Sequence, residues 1–269
     1  MSDASRQEFM HGETRVSYYK VGEGKPLVVL HGWGANADVM LPLSKKLSDL
    51  RACYVLDLPG FGKSDEPPKG WSIQDYAACV INFMREKNLK NADLLVHSFG
   101  ARIVLKMLGE RMMDVNSVLI TGGAGLKPKR SFNFYVKKYT AKTLKFPFQL
   151  LPGKLEEKGL AWLRSTNYWK KLGSGDYQKL QGVMRETFVK SVTEYLDHYM
   201  PAISNEILLL WGEDDESTPL DQARRMENGL ENAALVTIAG AGHYAFLDQP
   251  GQFYAIARAF LNSEEKKSS

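Results

Sequence analysis

The chain has 269 residues, 44% of them hydrophobic and 25% charged, a balance that suits a globular protein with a sizeable core and excludes disordered, collagen-like and membrane-embedded classes. The net charge of +4 is unevenly placed: residues 127–200 carry 15 Lys and Arg against 6 Asp and Glu, or +9, leaving 20 against 25, or −5, elsewhere. A shift of that size marks the middle of the chain as a distinct unit. No window approaches the roughly eighteen apolar residues of a transmembrane helix, and the first thirty residues hold no apolar run of signal-peptide length. Two cysteines, Cys53 and Cys79, are too few for a disulfide framework and read as buried free thiols, which fits a reducing cytoplasm.

In chain order, Leu27–Leu30 reads as a buried strand. Helical spacing follows over Asp38–Leu50, at Val39, Leu43, Leu47 and Leu50. Ala52–Leu56 is strand-like, Ile73–Asn88 helical, Asp93–Val96 a strand, Ala101–Arg111 a helix and Val115–Ile120 a strand. Apolar runs without polar alternation, separated by helices, imply a parallel sheet covered on both faces. From Leu126 to about Pro201 the pattern turns helical, aromatic and basic. The alternation then returns: Ile207–Trp211 strand, Pro219–Gly229 helix, Ala234–Ile238 strand, Gln252–Leu261 helix, and a tail expected to fray. The expectation is a doubly wound, mostly parallel α/β sheet built from residues 1–125 and 202–269, with a helical insert over 126–201.

The most informative segment is Leu94-Leu95-Val96-His97-Ser98-Phe99-Gly100-Ala101-Arg102: an apolar strand, a small-residue turn with a serine at its apex, then a helix. A serine there stands on a strained turn, clear of the sheet, at a helix N-terminus whose amides point where an oxyanion would form. This arrangement resembles the nucleophile elbow of the α/β-hydrolase family, G-x-S-x-G, with Val96 in place of the first glycine. His31-Gly32-Trp33-Gly34, directly after the first strand, is similar to the family's oxyanion loop. The resemblance implies that the backbone N–H groups of Trp33 and Phe99 form the oxyanion hole. Asp57-Leu58-Pro59-Gly60-Phe61-Gly62-Lys63-Ser64 is also family-like and reads as a structural loop, with no catalysis assigned to Asp57.

A catalytic serine requires a base, and the base an orienting carboxylate. Of the five histidines, His243 lies in Gly240-Ala241-Gly242-His243, where the family carries its catalytic histidine. The family spacing W-G-x-x-D-x-x-x-P over Trp211–Pro219 fits Asp215 and not Asp214. The resemblance therefore implies a triad of Ser98, Asp215 and His243, a helical cap over residues 126–201, and no cofactor.

No metal-ligand spacing and no phosphate-cradling loop is present, and Gly122–Gly125 reads as a hinge-like joint into the cap. The expected partner is a small-molecule substrate, with neither nucleic acid nor an integral membrane segment, and the oligomeric state stays open. Carboxylic ester hydrolysis leads on the family's commonest activity. A C–C bond hydrolase or lyase, a perhydrolase-like side activity and a non-catalytic small-molecule receptor remain alternatives. Arg102 is placed as in the menaquinone-pathway lyases of this fold, which bind carboxylates, so it is a candidate substrate contact. Phe132, Phe134, Tyr135, Tyr139, Phe146, Phe148, Trp162, Tyr168 and Trp169 are more aromatics than a small insert needs, and some are expected to line the pocket over Ser98.

Overall fold

The structure is a computed structural model that describes residues 4–129, 140, 143–144, 146–148, 152–166 and 180–268. In chain order the elements are β1 (Ser5–His11), β2 (Thr14–Val21), β3 (Pro26–Leu30), α1 (Ala37–Leu47), β4 (Ala52–Leu56), α2 (Ile73–Glu86), β5 (Asp93–His97), α3 (Phe99–Gly109) and β6 (Ser117–Thr121). Then come α4 (Lys154–Ser165), α5 (Gly182–Thr193), a 3-10 turn (Asp197–Ala202), β7 (Glu206–Gly212), α6 (Leu220–Gly229), β8 (Ala233–Ile238), α7 (Ala245–Asp248) and α8 (Pro250–Ser268).

The strands form one eight-stranded sheet in the order β1-β2-β4-β3-β5-β6-β7-β8. β2 runs antiparallel to β1 and β4, and every pair from β4 through β8 is parallel. The reason is legible in the side chains. Val28, Leu30, Leu94, Val96, Val118, Ile120, Leu209 and Trp211 enter one core with α2, α3 and α6. Leu27, Val29, Leu95, Leu119, Leu208 and Leu210 enter a second core with α1, α7 and α8. A sheet buried on both faces needs apolar residues at consecutive positions, and these strands supply them.

Two features differ from the sequence expectation. The β1–β2 hairpin, turned at Gly12 with φ +59°, precedes the first expected strand. β1 is exposed at all but Phe9 and His11, so it lacks the apolar run that betrays a central strand. α8 also continues to Ser268, through the tail expected to fray.

The two ends of the core are tied by one charge. Arg51, fully buried, donates from Nε to Asp93 Oδ2 at 2.9 Å and from Nη2 to the Leu261 carbonyl at 2.7 Å. Asn116 and Ser117 also donate to Asp93 Oδ1, at 2.6 and 2.9 Å. A buried ion pair is tolerable only when its remaining donors and acceptors are matched in this way.

Candidate active site

Ser98 stands between β5 and α3 with φ +47° and ψ −100°, a left-handed backbone that a residue with a Cβ rarely adopts. Such strain costs on the order of 1–3 kcal/mol and persists only where the surroundings impose it. Here the Ser98 N–H donates to the Thr121 carbonyl at 3.1 Å, while the Ser98 carbonyl accepts from Ala101 and Ala124, both at 3.1 Å. Val96, which stands at the first glycine of the family pattern, is accommodated because Gly100 gives way instead. A Cβ on Gly100 would lie 2.9 Å from Leu30 Cβ and 3.2 Å from Val96 Cβ.

His243, on the turn before α7, meets Asp215, on the loop after β7, with Nδ1 2.9 Å from Oδ2. Asp215 is buried and its neighbour Asp214 exposed. The carboxylate is fully engaged: Oδ1 accepts from the Ser217 and Thr218 amides at 2.9 and 2.8 Å, and Thr218 Oγ1 lies 2.8 Å from Oδ2. Burial pushes the Asp215 carboxyl up, but the hydrogen bonds from His243 and Thr218 outweigh it and hold it below its ordinary value. Thr218 Oγ1 is also 3.0 Å from the Gly122 carbonyl, which fixes the joint after β6 against this loop. Gly122 suits glycine: its φ is +54°, and a Cβ there would sit 3.0 Å from His243 Nδ1.

The His31–Gly34 turn is fixed by His31. Its Nδ1 donates to the Gly32 carbonyl at 2.8 Å and its Nε2 accepts from the Leu58 amide at 3.0 Å, so this buried ring is a structural tie. Asp57 behaves as the sequence implied, accepting from the Ala37 and Lys63 amides at 2.7 and 3.0 Å. Above these loops Trp33 meets Phe61, Phe99 and Phe188 edge-on, with ring centroids 5.0, 5.2 and 5.1 Å away. Phe188 comes from α5, so that helix forms an aromatic wall over the turn.

Two neighbours of this site had no clear sequence signal. His97 is wholly buried, its Nδ1 3.1 Å from the Thr121 carbonyl, its ring 4.7 Å from that of His243, and its Nε2 without a hydrogen-bond partner. Burial, with His243 alongside, pushes its pKa down to about 3. Thr218 was the other, although a threonine three residues after an aspartate is the pattern of a side-chain-capped turn. Arg102 lies beneath α5, where its Nη1 donates to the Ser191 and Glu194 carbonyls at 2.8 and 2.9 Å. Burial lowers its pKa to about 10.

Of the cap aromatics, Phe132, Phe134, Tyr135, Tyr139, Tyr168 and Trp169 lie outside the described residues. Phe146 and Trp162 are exposed and Phe148 is partly buried. Among the described residues no group of three or more His, Cys, Asp or Glu could hold a metal ion, and no helix is long and apolar enough to cross a membrane.

The chain is similar to known hydrolases in sequence and in fold. The AB hydrolase superfamily protein YisY of Bacillus subtilis is 26% identical over 255 residues, covering 90% of this chain and 94% of that protein. The pimeloyl-[acyl-carrier protein] methyl ester esterase of Shewanella woodyi is 48% identical over 62 residues, a local match covering 23% of each protein. The crystal structure of a bacterial membrane phospholipase A superposes with a TM-score of 0.74 at 21% identity, covering 97% of this chain and 87% of that one. The sequence profile of the alpha/beta hydrolase fold matches residues 25–250, from the start of β3 to the start of α8. With that match over most of its length and the sheet order above, this chain belongs to the alpha/beta hydrolase fold family.

Proposed function

We propose that this protein is a serine hydrolase that cleaves a carboxylic ester of a small molecule. Ser98 is the nucleophile, His243 the general base and Asp215 the residue that orients it. The observations that carry this reading are the 2.9 Å contact between His243 Nδ1 and the buried, hydrogen-bonded Asp215, and the strained φ of +47° at Ser98 between β5 and α3. With Nδ1–H directed at Asp215, the imidazole offers its Nε2 lone pair to the Ser98 hydroxyl. Ser98 Oγ attacks the ester carbonyl, His243 takes its proton, and the carbonyl oxygen becomes an oxyanion. The amides of Trp33 and Phe99 receive that charge, each worth about 3–4 kcal/mol in the transition state. The intermediate collapses to an acyl-enzyme on Ser98 Oγ as its bond to the alcohol oxygen breaks and His243 gives that oxygen the proton. Water, deprotonated by His243, then releases the acid and restores Ser98.

The local 48% identity to a methyl ester esterase supports an ester over a C–C bond. Arg102 has its Nη1 committed to the Ser191 and Glu194 carbonyls, so we assign it to holding α5 rather than to a substrate carboxylate. We divide the chain into an α/β-hydrolase core of residues 1–125 and 202–269 and a cap of residues 126–201, whose Phe188 packs on Trp33 of the oxyanion loop. Trp33, Phe61 and Phe188 offer the substrate an aromatic, uncharged surface. The test is a panel of p-nitrophenyl esters of graded acyl length. Turnover that depends on acyl length is expected; no turnover of any ester would overturn the ester reading.

A further inference from the structure

We propose that the face of α4 bearing Leu155, Lys158 and Trp162, together with Phe146, docks this protein on an anionic lipid surface. Trp162, Phe146 and Leu155, at 64, 60 and 57% exposure, are the three most exposed large hydrophobic side chains among the described residues. Leu155, Lys158 and Trp162 stand at i, i+3 and i+7 and share one side of the helix, whereas Leu163 is turned inward and buried. Phe148 lies against Gly159 with its ring 6.1 Å from that of Trp162, so the aromatic surface continues from the helix onto the segment that carries Phe146. A patch of this kind, left open to water, marks a surface that is covered in use.

The charge distribution selects what covers it. Residues 127–200 carry +9 in the sequence and the remainder −5, so the stretch of chain that holds α4 is the part an anionic surface favours, while Glu156 and Glu157 stand beside Lys158 on the helix itself. A second copy of the same face would bring two +9 segments together, which argues against self-association. The stripe suits the boundary between headgroups and acyl chains: tryptophan is at home there, and Lys158 can lie along the apolar strip with its ammonium among the phosphates.

The experiment is co-sedimentation of the full chain with phosphatidylglycerol-rich vesicles and with pure phosphatidylcholine vesicles. Binding to the former is expected to exceed binding to the latter by at least about tenfold, and to fall as salt rises to about 1 M, where charges reach only about 3 Å. Leu155→Ala/Trp162→Ala and, separately, Lys158→Glu should each weaken binding with no loss of thermal stability, because these side chains pack little. Ser98→Ala should bind vesicles as the parent does, which separates this proposal from the triad assignment. Equal binding to both vesicle types, unchanged binding in the variants, or capture of a purified acidic acyl carrier protein with no vesicle binding would overturn it.

Discussion

The ring of His97 lies 4.7 Å from that of His243, with the two planes 53° apart, and its only hydrogen-bonding contact is Nδ1 to the Thr121 carbonyl at 3.1 Å. The carbonyl is not dependent on it, since the Ser98 amide donates there as well. A neutral ring thus borders the residue assigned to carry positive charge during catalysis.

His97 makes the fold sensitive to acid. Its pKa is pushed from the ordinary histidine value of 6.5 to about 3, so between those limits the unfolded chain binds a proton that the folded chain does not. Stability is therefore complete above about pH 6.5 and falls as pH drops towards 3. Asp215 acts in the same direction, its contribution lost as pH falls through its lowered folded value. Calorimetric unfolding of His97→Phe between about pH 4 and 7 should show a flatter acid limb than the parent. Parallel curves would refute this.

Ser98→Ala should fold normally and lower kcat by a factor on the order of 10⁶, and a fluorophosphonate should label Ser98 stoichiometrically. Labelling at another residue, or turnover retained in the variant, would remove Ser98 from the reaction.

Asp215→Asn should cost about 10⁴ in kcat because the imidazole loses its orienting partner, whereas Asp214→Asn should cost less than about tenfold. Steady-state kinetics of the two variants decide the matter. An exchange of effects would move the acid to Asp214.

Arg102→Ala leaves the Ser191 and Glu194 carbonyls short of a donor and should destabilise the protein by about 1–3 kcal/mol. Its effect on kcat/KM should be equal for carboxylated and neutral esters. A KM increase confined to carboxylated substrates would restore Arg102 as a substrate contact.

Gly122→Ala should shift His243, because the new Cβ would stand 3.0 Å from Nδ1 at a φ of +54°. We expect kcat to fall well before thermal stability does, as read by kinetics and melting of the same sample. A variant with parental kcat would show that the imidazole has room to spare.

Sequence alone shows β3, β5, β6 and β7 because both their faces are buried, which leaves uninterrupted apolar runs such as Leu27–Leu30. It singles out Ser98, Asp215 and His243 as candidates because each sits in a short loop whose neighbouring glycines or proline are themselves conspicuous. What it hides are relations across long separations. Arg102 is 89 residues from its acceptor Ser191, and the pairing of Thr218 with Gly122 spans 96. The orphaned Nε2 of His97 has no local signature either, because it exists only once Gly32 and Ser98 close around the ring. β1 hides for the opposite reason, since an exposed edge strand needs no apolar pattern.

The Arg51 guanidinium makes the first half of the chain depend on its last helix. Its Nη2 acceptor, the Leu261 carbonyl, is 210 positions downstream, so the charge buried in the first half of the sheet is matched by the last helix of the chain. A dry guanidinium short of an acceptor is costly. A fully matched interior at this end of β4 therefore requires α8, and shortening the chain before Leu261 would remove an acceptor from the buried guanidinium.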